Sequence, residues 1–165
     1  MNQTYTIYEE RRTLLRRGTL PEYRRLMLEE VWPALAAAGM RPLCLLSGLI
    51  GLPAEETYTF TGFRDAAAWA AAAENAPLQH TLARRNGLVV EEQVRLHRPS
   101  PIRPKPETPP EDRRPVYGMR RFTINAADWP AFLEHSAEGV WRRIEAQDAR
   151  ILCLFRDAVT TDPLE

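Results

Sequence analysis

Lysine is almost missing from this chain: Lys105 stands alone, and every other basic side chain apart from histidine is an arginine. Basic and acidic residues balance at 22 each, so no global field draws the chain toward nucleic acid or an anionic membrane. Two readings of the arginine bias stand, selection for bidentate anion contacts or a GC-rich coding bias, and the alanine runs favour the second. Two cysteines are too few for a disulfide framework. Cys44 and Cys153 sit inside apolar, strand-like runs and read as buried free thiols of a reducing, cytoplasmic compartment. The three histidines, His80, His97 and His135, are scattered without ligand spacing, so no structural zinc is expected. Phosphate loops and nucleophile elbows are absent too. No apolar run approaches the ~20 residues of a spanning helix, and Met1–Tyr5 shows neither a basic start nor an apolar core, so neither membrane insertion nor a signal peptide is expected.

What the chain has is a repetition. A shift of 109 positions, without a gap, brings Tyr8 onto Tyr117, Arg11-Arg12 onto Arg120-Arg121, Pro21 onto Pro130, Val31-Trp32 onto Val140-Trp141 and Leu43-Cys44-Leu45 onto Leu152-Cys153-Leu154. About 12 of 38 aligned positions are identical, which marks an internal repeat.

Within the first copy, Tyr5–Leu15 reads as a strand closed by Arg17-Gly18. Thr19, Pro21 and Glu22 predict a helix start with a capping box. Leu20, Tyr23, Met27, Val31 and Leu35 then recur at helical spacing until Gly39. Leu43–Ile50, nearly all apolar, predicts a central strand. Thr57–Phe63 pairs with it as a hairpin, Ala66–Asn75 and Pro77–Arg85 are helical, and Leu88–His97 is a fourth strand. The order β-α-β-β-α-β is the ferredoxin-like plan, giving an α+β domain over residues 1–98.

Seven prolines between Pro99 and Pro115 predict an extended linker over 99–115. Residues 116–165 then form a partial second ferredoxin-like repeat, β-α-β. Its strand spans Val116–Ile124, Asp128 holds the N-cap place of Thr19, Phe132, Leu133, Val140, Trp141 and Ile144 make the apolar stripe, and Ile151–Phe155 is the next strand. About 50 residues bury too little surface to stand alone. This half-unit is therefore expected to lean on the first domain or on a second copy, unless the parent protein continues further.

The motif Tyr8-Glu9-Glu10-Arg11 followed by Gly18, with the helix Leu20–Leu35, the Gly39 stop, Gly48 and an aromatic strand ending at Phe63, resembles the NIPSNAP family of the dimeric α+β barrel superfamily. The second copy keeps Tyr117 and Arg120 but has Gly118 and Ala127 in place of Glu9 and Gly18. The resemblance implies two ferredoxin-like sheets packed face to face around a cavity, a homodimer or tandem arrangement, and a small organic ligand, with no cofactor required. It leaves activity open. The superfamily also holds cofactor-independent monooxygenases and isomerases, and haem-binding members.

Side chains alternate along a strand, so Tyr8, Glu10 and Arg12 share one face while Glu9 and Arg11 share the other. With Tyr117, Arg120 and Arg121, these are the candidate ligand-binding residues. Arginine with tyrosine in a cavity suits a carboxylate or enolate-like anion. The competing reading pairs Glu and Arg with each other. Trp32 and Trp141, matched by the repeat, are expected in the core.

Overall fold

The computed structural model describes residues 4–103, 106 and 108–159. It divides into two compact units, Met1–Leu96 and His97–Glu165. The proline-rich stretch falls within the second by this division, and Pro104, Lys105 and Glu107 lie outside the described residues.

The first unit is α+β with the ferredoxin-like order. β1 (Ile7–Leu15) leads into α1 (Leu20–Leu26), a π-helical turn over Met27–Val31, and α2 (Trp32–Ala37). Then come β2 (Arg41–Ser47), β3 (Glu56–Phe63), α3 (Ala66–Glu74), α4 (Ala76–Ala83) and β4 (Val89–Pro99), whose last three residues belong to the second unit. The strands order as β2-β3-β1-β4. β1 and β3 run antiparallel with Glu9 opposite Thr61, Arg11 opposite Thr59 and Thr13 opposite Thr57.

That order corrects one expectation: the apolar β2 is an edge strand, and the centre belongs to β1 and β3. β3 is buried along its whole length although every second residue from Thr57 to Thr61 is a threonine. An apolar run is no proof of a central place, because short hydroxyl side chains pack well on a pleated surface. Tyr23, Met27, Val31 and Leu35 make the buried stripe of the first helix, as expected. The capping box does not form. Thr19 is itself helical in conformation and spends its hydroxyl on the carbonyl of Arg16, at 2.7 Å. Asp65 and Asn75 do cap, accepting from the backbone N–H of Ala68 and Leu78.

The second unit contains α5 (Trp129–His135), a π-helical turn over Ser136–Val140, α6 (Trp141–Glu145) and β5 (Phe155–Asp157). β5 pairs antiparallel with the end of β4, His97 opposite Asp157. The strand expected over Val116–Ile124 is not formed; a single bridge at Ile124 stands there. A strand needs a hydrogen-bonding neighbour, and this segment leaves Val116, Met119 and Phe122 exposed instead. The strand expected over Ile151–Phe155 starts only at Phe155.

The helix of α1 and α2 and that of α5 and α6 are each interrupted by a π turn, and the two turns start 109 positions apart. Met27 and Ser136 open them, and Trp32 and Trp141 donate back to them in the same five-residue bond. Pro33 lacks an N–H and by itself suggests a cause for the first π turn. Arg142 holds the same place in the second helix, so proline is not required. Gly39 leaves its helix at φ +81°, and the matching Asp148 does so at φ +55°, the only positive φ among the described non-glycine residues.

Asp148 therefore carries left-handed strain that Gly39 avoids. Its ion pair with Arg114 is long, 3.7 Å, and both side chains are largely exposed, so little holds aspartate there. Asp148→Gly is expected to raise stability by about 0.5–1 kcal/mol. A urea midpoint that falls instead would show that the ion pair outweighs the backbone term.

Candidate functional site

β1 presents two faces, and each resolves its charges separately. Toward the helices, Glu9, Arg11 and Thr13 join Thr57, Thr59 and Thr61 of β3. Met27 and Val31, the two ends of the π turn, close over them with Leu35, Met40, Leu78 and Trp69. Between sheet and helices lies a half-open cavity of about 390 Å³, at the small end of ligand pockets. π turns recur at functional positions because the wider turn re-aims side chains, and here both its ends line the cavity.

One connected chain of charge runs along its floor. The indole Nε1 of Trp69 donates to Glu9 Oε2 at 2.7 Å. Arg11 Nε donates to Glu9 Oε1 at 2.8 Å, and its Nη1 donates to Glu92 Oε2. Glu92 Oε1 accepts from Arg85 Nη1 at 2.9 Å and Thr13 Oγ1 at 3.3 Å. Arg85, only 5% exposed, also gives its Nε–H to the carbonyl of Leu82. Burial works against the Arg11 cation, but Glu9 and Glu92 outweigh it and hold its pKa above the ordinary value. Burial likewise pushes Glu92 up, and the fields of Arg11 and Arg85 overcome that and leave it below the usual carboxylate range. Both groups are charged at neutral pH.

On the opposite face Arg12 Nη2 meets Glu56 Oε2 at 2.7 Å, Tyr58 donates to Glu56 Oε1 at 2.7 Å, and Arg12 Nη1 lies 3.5 Å from Glu91. The hydrogen bond from Arg12 lowers the Glu56 pKa against the cost of burial. Burial, aided by Glu56, raises Tyr58. Tyr8 and Glu10 are buried on this face, opposite Gly62 and Phe60. A Cβ at Gly62 would stand 3.1 Å from the Tyr8 ring.

Of the residues picked from the sequence, then, Arg11 lines the cavity, while Tyr8, Glu10 and Arg12 point to the other side of the sheet. Tyr117 accepts from the backbone N–H of Arg114, and Arg120 and Arg121 are exposed in the second unit, outside regular structure. Glu–Arg pairing holds on both faces. Sequence reading missed Arg85 and Glu92, since ion partners 81 residues apart leave no local signal. Among the described residues no group of three His, Cys, Asp or Glu side chains is placed to hold a metal ion, and no helix is long and apolar enough to cross a membrane.

The lowered carboxylates fix the sign of an acid effect. Glu56 and Glu92 titrate below their unfolded value when folded, so their stabilisation is complete above that ordinary carboxylate value, near 4.5. It is lost as pH falls through the folded pKa values. The urea midpoint is expected to drop progressively below about pH 4.5, and Glu56→Gln to flatten that drop. An equally steep acid limb in the variant would contradict the assignment.

The antiparallel sheet and its helices are similar in fold to NIPSNAP proteins and to a candidate monooxygenase. A NIPSNAP family protein from Agrobacterium tumefaciens is 22% identical, the match covering 63% of this chain and 94% of that one at a TM-score of 0.49. A NIPSNAP domain protein from Burkholderia xenovorans is 15% identical over 58% of this chain and 95% of its own, TM-score 0.50. A candidate monooxygenase from Lactobacillus acidophilus is 14% identical over 96% of this chain and 72% of its own, TM-score 0.56. At these identities the likeness is one of fold. Neither a protein-family model nor a curated protein matches the chain.

Proposed function

We propose that the first unit binds a small organic molecule in the cavity between its sheet and its helices. The observation that carries this reading is the cavity's construction. Apolar helix residues form one wall, and an ordered, buried charge network forms the other, so a guest would find both apolar surface and fixed polar groups. Buried ion pairs rarely repay their desolvation, so stability alone gives little reason to line a cavity with such a network.

Native mass spectrometry of the purified full-length chain tests the proposal. A retained organic mass that leaves on denaturation supports it, and a chain that retains none and binds nothing from a small-molecule panel contradicts it. The same spectrum reads the self-association, a homodimer, that belongs to this proposal through the family resemblance.

A second reading, turnover by a cofactor-independent monooxygenase or isomerase, draws on the fold shared with the Lactobacillus acidophilus protein over 96% of this chain. Oxygen uptake or isomerised product in the presence of the retained compound would favour it. Binding without either would leave the protein a binder.

A further inference from the structure

Four charged side chains line the cavity, Glu9, Arg11, Arg85 and Glu92, and they cancel. The exposed amides of Gln79 and Asn86 also line the cavity, but among its buried polar groups the unspent hydrogen bonds do not cancel. Glu9 accepts from Trp69 and Arg11, and Glu92 accepts from Arg11, Arg85 and Thr13, so both carboxylates are occupied on each oxygen. Arg85 uses its Nε and Nη1, and its Nη2 has no partner among the described residues. Thr59 and Thr61 also line the cavity, with hydroxyls that meet no partner among the described residues. Nη2 is a donor only, with two N–H groups and no acceptor lone pair.

From this imbalance we infer that the ligand is an uncharged, largely apolar molecule carrying a carbonyl-type acceptor, which takes its hydrogen bond from Arg85. The inference rests on the proposed cavity and narrows what fills it. A carboxylate is disfavoured, because each guanidinium is already neutralised and a further anion would bring uncompensated charge beside Glu9 and Glu92. A pure hydrocarbon is disfavoured for the opposite reason, since it would leave the Arg85 N–H groups desolvated and unmet. A neutral carbonyl satisfies both conditions with a charge-assisted bond.

Three probes of one shape separate these cases on the full-length wild-type chain by calorimetry: 2-acetylnaphthalene, 2-ethylnaphthalene and 2-naphthoate. The expected order has the ketone tightest, about tenfold over the carboxylate and several-fold over the hydrocarbon. A carboxylate that binds as well as the ketone overturns the inference on charge while leaving the cavity standing. A hydrocarbon equal to the ketone overturns the role of Arg85. Failure of all three overturns the cavity reading itself. Arg85→Met, if it folds, is expected to bring ketone and hydrocarbon together.

Discussion

Glu92→Ala is expected to lower the unfolding free energy by about 3 kcal/mol, the cost of removing one partner from a buried ion pair. The carboxylate holds two guanidiniums at once, from β1 and from the end of α4, and accepts a hydroxyl besides. Arg11 would keep Glu9. Arg85 would keep only the carbonyl of Leu82 and would become a buried cation without a counter-charge. Its escape to solvent would unseat the turn after α4, where Leu88 N–H bonds to the Arg85 carbonyl. Glu92→Gln keeps the shape and loses the charge, so a smaller loss, about half, is expected. Urea denaturation followed by circular dichroism checks both. A loss in Glu92→Ala below about 1 kcal/mol would show the pair to be solvent-screened and the network to be ornamental.

Ala72→Phe is expected to abolish ligand binding, by about a hundredfold or more, while leaving the fold intact. Ala72 lies in α3, on the turn after Trp69, and lines the cavity without being fully buried. Phenylalanine adds an aromatic ring where the guest would sit, and at a half-exposed helix position it costs only a few tenths of a kcal/mol in propensity. Filling the space also gives Met27 and Leu78 a partner, so thermal stability is expected to hold or rise slightly. Binding that survives at wild-type affinity would place the guest elsewhere.

The elements were legible from the chain because their signals are local. Period and punctuation gave the first helix from Leu20 and the two short helices after β3, all within a residue or two. The four-strand plan followed from their order. What pattern could not supply was rank within the sheet and pairing across it. β2 is more apolar than β3 yet lies at the edge, because position is set by the topology of the connections and not by hydrophobicity. The unformed strand at Val116–Ile124 has the residues of β1, Tyr and two arginines included, but pairs only at a single bridge, Ile124. Strand character there depends on a partner and cannot be read from the segment itself.

The candidate site shows the same divide. Alternation along β1 correctly separated Glu9 and Arg11 from Tyr8, Glu10 and Arg12, and only the packing of the helices says which set faces the cavity. The arginines suggested an anion because each was weighed with its neighbours in sequence. Glu92 and Glu56 reach them from other strands, and those partners convert apparent anion sites into neutral ones. The π turn left no trace in composition, since Met27–Val31 and Ser136–Val140 share only Glu29/Glu138 and their final valine.

The most direct test follows the indole N–H of Trp69 by NMR as the full-length chain is titrated with 2-acetylnaphthalene. That proton is spent on Glu9 in the wall of the cavity. The account predicts a saturable shift of this one indole among the four tryptophans of the chain, lost in Ala72→Phe. A shift confined to Trp129 or Trp141, or saturable binding that leaves Trp69 unmoved, would contradict it.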